Sequence, residues 1–117
     1  MRSYENLKVW QKSHALCLEV YRITKDFPKA ETYGLRQQIR NAAASVPSNI
    51  VEGCGKPTDP DLLRYVGIAM GSVTEVHYQL LLARDLGYLD ADAHIEATHL
   101  ATEVRMASAG FTTYLLR

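Results

Sequence analysis

Cysteine, net charge and long apolar runs are all scarce in this chain, and each scarcity excludes something. Two cysteines, Cys17 and Cys54, in 117 residues are too few for a disulfide framework. No Cys-x-x-Cys or His-x-x-x-His pair occurs, so His14, His77, His94 and His99 have no zinc-ligand spacing to join and no metal or other cofactor is predicted. The longest apolar stretches, "YVGIAM" and "LLLA", end far short of the ~20 residues that span a bilayer. "MRSYENLKVW" lacks the apolar centre of a signal peptide. These absences together predict a soluble protein of the reducing cytoplasm with no membrane role.

Charge is balanced as a whole, with 13 Lys/Arg and 13 Asp/Glu, so the field of the entire chain does not push it toward nucleic acid or anionic lipid. The halves differ, however. Residues 1–57 hold nine Lys/Arg against five Asp/Glu, and residues 58–117 hold four against eight. An anion-binding surface is therefore expected in the first half. Motifs for chemistry are missing as well: "EGCGKPT" lacks the first glycine and the final Ser/Thr of a phosphate-binding loop, and no serine lies in a Gly-x-Ser-x-Gly turn. Cys54 has no base placed near it by local spacing, and His99 with Glu103 reads as a solvated ion pair on one helix face. The sequence predicts no enzyme and no catalytic residue.

What is present is helical periodicity. Val9, Leu16, Val20, Ile23 and Phe27 form one apolar stripe, widened by Trp10, Cys17 and Tyr21, that Pro28 brings to an end. A second stripe, Leu35, Ile39, Ala42, Val46 and Ile50, runs from near Tyr33 to the glycines of "EGCG". In "TDPDLL", Asp59 is the expected cap and Pro60 the first helical residue of a third helix reaching Leu86. Its core stripe is Leu62, Val66, Ala69, Val73, Val76, Leu80 and Ala83. Gly87 then gives a left-handed stop and Asp90 a new cap. The fourth stripe follows, through Ala93, Ala97, Leu100, Val104, Ala107, Phe111 and Leu115. No strand pattern competes, and short connections favour one all-α domain over residues 1–117, an antiparallel up-down-up-down four-helix bundle.

Three sets of residues are candidates for function. Arg36 and Arg40 project from one face of the second helix and, with Lys56 near its end and Lys25 and Lys29 near the turn before it, are the candidate nucleic-acid contacts. Gln38, Asn41, Ser45, Asn49 and Glu52 form a polar stripe beside Ala42–Ala44 and Pro47. Its favoured role is structural, a hydrogen-bond network within or between subunits that serves groups freed where Pro47 bends the helix; a ligand-recognition strip is the alternative. On the third helix Ile68, Gly71, Glu75, Tyr78 and Leu82 lie opposite the core stripe, an outer face too apolar for a monomer, which points to a heterologous contact between copies of the chain.

Particular blocks also carry a resemblance. "YGLRQQIRNAAASVPSNIVEG", "GSVTE" and "LGYL", set within a match reaching about Leu89, are similar to the bacterial four-helix-bundle family of 23S rRNA intervening-sequence proteins. The resemblance implies a ring-like homopentamer, encoded in some bacteria within inserts of large-subunit rRNA genes. More distantly it implies a likeness to accessory variability proteins of retroelements, basic pentamers that bind RNA and a reverse transcriptase. No catalytic residue transfers. Val51 stands where the family commonly has a small residue and Lys56 near its arginine, and the neutral charge departs from the basic relatives. The function expected is a non-enzymatic homo-oligomeric adaptor for RNA or an RNA-associated protein, with a purely structural or protein-binding scaffold as the alternative.

Overall fold

In the computed structural model, which describes residues 2–117, the periodic stripes become four helices: α1 Lys8–Ile23, α2 Leu35–Cys54, α3 Asp59–Asp85 and α4 Ala91–Leu116. Each packs on the helix before and after it, and α1 closes the square on α4. Contacts between named ends show the directions. Arg40 near the start of α2 bonds Thr24 just past the end of α1, and Gly53 at the end of α2 touches Leu62 and Tyr65 at the start of α3. Arg2 bonds Asp59 at the start of α3 and lies over the ring of Tyr114 at the end of α4. Successive helices are therefore antiparallel.

Apolar periodicity explains the core. All seven residues of the α3 stripe are buried, and Leu16, Val20, Ile39, Val46, Ile50, Ala97 and Val104 meet them. Burying a Val or Leu side chain contributes about 1.5–3 kcal/mol, so this shared centre holds the four helices together. On α4, Ala93, Leu100, Ala107 and Phe111 are half-buried at the margin of the core.

The ends of α3 and the start of α4 follow local chemistry. Gly87 takes φ +80°, its N–H bonds the Arg84 carbonyl at 2.9 Å and the Tyr88 N–H bonds the Ala83 carbonyl at 2.8 Å, which closes α3 with a Schellman turn. Asp90 caps α4 by accepting from the Ala93 N–H at 2.8 Å. At the other end of α3 the cap is Thr58 and not Asp59: its hydroxyl accepts from the Asp61 N–H at 3.2 Å and donates to the Asp61 carboxylate at 2.8 Å. The reciprocal pair settles two groups at once, which Asp59 cannot do from inside the first turn.

Gly53 is also corrected. It does not end α2; it lies inside the helix, buried, and a Cβ there would sit 2.8 Å from Leu62 Cδ1 and 2.8 Å from Tyr65 Cβ. The missing side chain lets α2 and α3 approach closely, and this is the most extensive helix pair of the bundle. Pro47 is accommodated within a continuous α2.

Candidate functional site

The outer groove between α1 and α2 holds the basic candidates. Arg40 is fixed from three directions: its Nε donates to the buried Thr24 Oγ1 at 2.7 Å, an Nη donates to the Tyr21 carbonyl at 3.1 Å, and the guanidinium lies 4.7 Å from the centre of the Tyr21 ring. Thr24 is itself anchored by donating to the Val20 carbonyl at 2.8 Å. All these partners are neutral, so the positive charge of Arg40 is oriented but not cancelled. Arg36, one turn earlier, forms no ion pair among the described residues. Together they line an open depression of about 280 Å³ with Tyr21, Thr32, Gln37 and Asn41.

Lys25 and Lys29 are exposed at this end of the bundle. Lys56 is not. It follows the C-terminus of α2, about 30 Å from Arg36 at 1.5 Å per residue, and its ammonium lies 5.4 Å from the Tyr65 ring centre. The structure thus brings Arg36 and Arg40 together and separates Lys56 from them.

The polar stripe runs along the outer edge of the α2–α3 seam. Ser45 and Asn49 are half-buried, whereas Gln38, Asn41 and Glu52 are exposed. Asn49 Nδ2 donates to the Ser45 carbonyl at 2.8 Å and to Ser45 Oγ at 2.9 Å, and Ser45 Oγ shares a 2.9 Å hydrogen bond with Ser72 Oγ of α3. Within the chain this is a three-residue link and not a buried network, and its bonds reach the Ser45 carbonyl rather than the Ala43 carbonyl freed by Pro47. Sequence reading missed Gln79, which is buried, donates to Glu75 at 3.1 Å and leaves its Oε1 without a partner. Its place four residues beyond Glu75 was the available signal.

On the outer face of α3, Ile68 is 49% and Tyr78 59% exposed, and Glu75 and Gly71 are exposed beside them. Added Cβ atoms at Gly67 and Gly71 would meet nothing, so no contact within the chain requires glycine there. Leu82 differs: it is half-buried against the core.

Several other titratable groups are engaged or shielded. Burial pushes the thiols of Cys17 and Cys54 up, which disfavours the thiolate. Glu103 accepts from both Lys12 and, at 2.8 Å, His99. His14 is exposed and stacked on Trp10, with centroids 5.0 Å apart. Among the described residues no three His, Cys, Asp or Glu side chains gather as metal ligands, and no helix is long and apolar enough to cross a membrane.

Four antiparallel helices, an arginine pair without an ion-pair partner in a surface groove and exposed apolar side chains on the outer face of α3 define an all-helical bundle. Its family is equally clear. The chain belongs to the 23S rRNA-intervening sequence protein family, which it matches over residues 5–109, well into α4. A crystal structure of a protein of unknown function from the S23 ribosomal protein family of Bacteroides thetaiotaomicron has a TM-score of 0.83 to it at 18% identity, covering 95% of this chain and 99% of that one. At that identity the likeness shows the fold. No curated protein matches the chain.

Proposed function

We propose that this protein is a non-enzymatic, ring-like homo-oligomeric adaptor, pentameric as the family resemblance implies, that binds RNA or an RNA-associated protein in the cytoplasm. The observation that carries the RNA reading is the Arg36–Arg40 pair: two guanidinium groups one helical turn apart, one of them held rigid, neither opposed by a carboxylate. Isolated cations on a helix contact phosphates and not base edges, so the recognition is of backbone rather than sequence. The α3 face supports self-association, because exposed Ile68 and Tyr78 flank glycines that leave room for another chain.

Titration of RNA binding across salt concentrations tests the reading. Each single-strand phosphate neutralised contributes a slope of about −0.7 in log affinity against log salt. Arg36→Ala with Arg40→Ala flattens the slope by about 0.7 for each phosphate the pair neutralises and weakens unrelated sequences alike. The balanced charge of the chain favours a second reading, a scaffold that binds protein alone. Failure of the unmutated protein to bind RNA at low salt selects it.

A further inference from the structure

The most exposed large apolar side chain among the described residues stands next to the arginine pocket. Tyr33 is 89% exposed in the turn that leads into α2, directly after Thr32, which lines the pocket, and three residues before Arg36. No ring pair or hydrogen bond engages its side chain among the described residues. Leaving a phenol ring in water gives the fold nothing, and both faces of the ring are free to stack.

We infer that Tyr33 and the Arg36–Arg40 pocket form a single-nucleotide subsite for a single-stranded polynucleotide, the phosphate lying between the two guanidinium groups and the adjoining base on the Tyr33 ring. The inference rests on the RNA reading above and adds strandedness to it. A depression of about 280 Å³ is smaller than the pockets that enclose drug-sized ligands, and suits a phosphate with its water. Residues four apart on a helix have Cβ atoms about 5–6 Å apart, so two arginines there can address different oxygens of one phosphate. Arg40 comes preorganised by Thr24 and Tyr21, while Thr32, Gln37 and Asn41 add neutral hydrogen-bonding groups at the rim. The nearest carboxylate in sequence, Glu31, is directed to the Leu35 N–H and the Tyr88 hydroxyl. A base can reach Tyr33 only if it is unstacked from its neighbours, a condition that single strands meet and duplexes do not.

Fluorescence anisotropy with a labelled mixed-sequence RNA strand, the same strand in duplex form, and AMP as competitor tests the subsite. Tyr33→Ala is expected to weaken the single strand about tenfold, leave the duplex unchanged and leave the salt slope unchanged, while Tyr33→Trp retains affinity. Arg36→Ala with Arg40→Ala weakens both strand forms and lowers the slope. Loss in the arginine variant with no change in Tyr33→Ala overturns the subsite and leaves RNA binding standing. Absence of any RNA binding by the unmutated protein overturns both. AMP displacing the strand at equal nucleotide concentration also overturns the proposal, because the ligand is then a free nucleotide. Circular dichroism of Tyr33→Ala confirms that the exposed substitution leaves the helices intact.

Discussion

The hydroxyl of Tyr88 donates to Glu31 Oε2 at 2.9 Å, and the other oxygen of the same carboxylate accepts the Leu35 N–H at 2.9 Å. One side chain thus caps α2 and ties the α1–α2 turn to the α3–α4 turn across 57 residues of sequence. Phe27 packs against the Tyr88 ring at 5.4 Å and shields the link. A Cβ at Gly34 would stand 2.6 Å from Glu31 Oε1, so glycine there keeps the carboxylate in place.

This clamp sets an acid limit. The Leu35 amide, and next the Tyr88 hydroxyl, hold the Glu31 carboxyl below the usual carboxylate range; the Lys12 ammonium foremost does the same for Glu103. Both carboxyls titrate lower folded than unfolded, so their contribution is complete above the ordinary carboxylate range and drains away as pH falls through the lowered folded values. Thermal melts between pH about 6 and about 3 are expected to lose this acid dependence in part in Glu31→Gln, and less in Tyr88→Phe. An acid limb unchanged in Glu31→Gln rules the clamp out as its source.

Gly53→Ala places a methyl group 2.8 Å from two atoms of α3, one of them the Cβ of Tyr65, which cannot swing away. Overpacking of this kind costs about 1–3 kcal/mol, although alanine is the better helix former. Chemical denaturation followed by circular dichroism measures it. Equal or greater stability in the variant means that the helices separate without penalty.

At the polar stripe, Asn49→Leu removes two hydrogen bonds to Ser45 from a half-buried position. The expected loss in an isolated protomer is about 0.5–1.5 kcal/mol, with Ser45→Ala and Asn49→Leu non-additive because they share the link. A strictly additive double mutant excludes a shared network.

Assembly is tested on α3. Tyr78→Glu and Gly71→Arg put charge or bulk at exposed positions of this face, so each is expected to lower the oligomer mass by light scattering while helical circular dichroism persists. Leu82→Glu is a poorer probe, since Leu82 also packs on its own core. A monomeric unmutated protein, or full mass in both variants, removes this face from any interface.

Thr24→Val keeps the shape of a buried side chain and removes the oxygen that orients Arg40. RNA affinity is expected to fall severalfold, less than in Arg40→Ala, with the salt slope retained because the charge remains. A slope that falls as in Arg40→Ala contradicts a positioning role.

Burial was legible in the sequence on α3, where one face alone decides the fate of a residue. The seven core residues of α3, the left-handed Gly87 and the Asp90 cap each follow from chemistry within a turn or two. Legibility failed where the deciding partner comes from another helix. The reason for Gly53 is Leu62 and Tyr65, the anchor of Arg40 is Thr24, and Glu31 meets Tyr88 only after the bundle closes. Lys56 shared a charge class with Arg36 and Arg40, but the length of α2 keeps it from sharing a place with them. For the stripe from Gln38 to Glu52 on α2, periodicity alone does not say whether a seam edge is covered.

The close seating of α2 on α3 has a kinetic side. Four residues, Gly55–Thr58, join these helices, and the joint lies directly beside the Gly53 contact, so the largest interface of the bundle closes the shortest loop. Short loops cost the least chain entropy to close, which makes the α2–α3 hairpin the part of the chain expected to organise first while α1 and α4 dock later. Gly53→Ala should then act chiefly by slowing refolding, whereas loss of the Lys12–Glu103 pair between α1 and α4 should chiefly speed unfolding, a division that stopped-flow chevrons resolve.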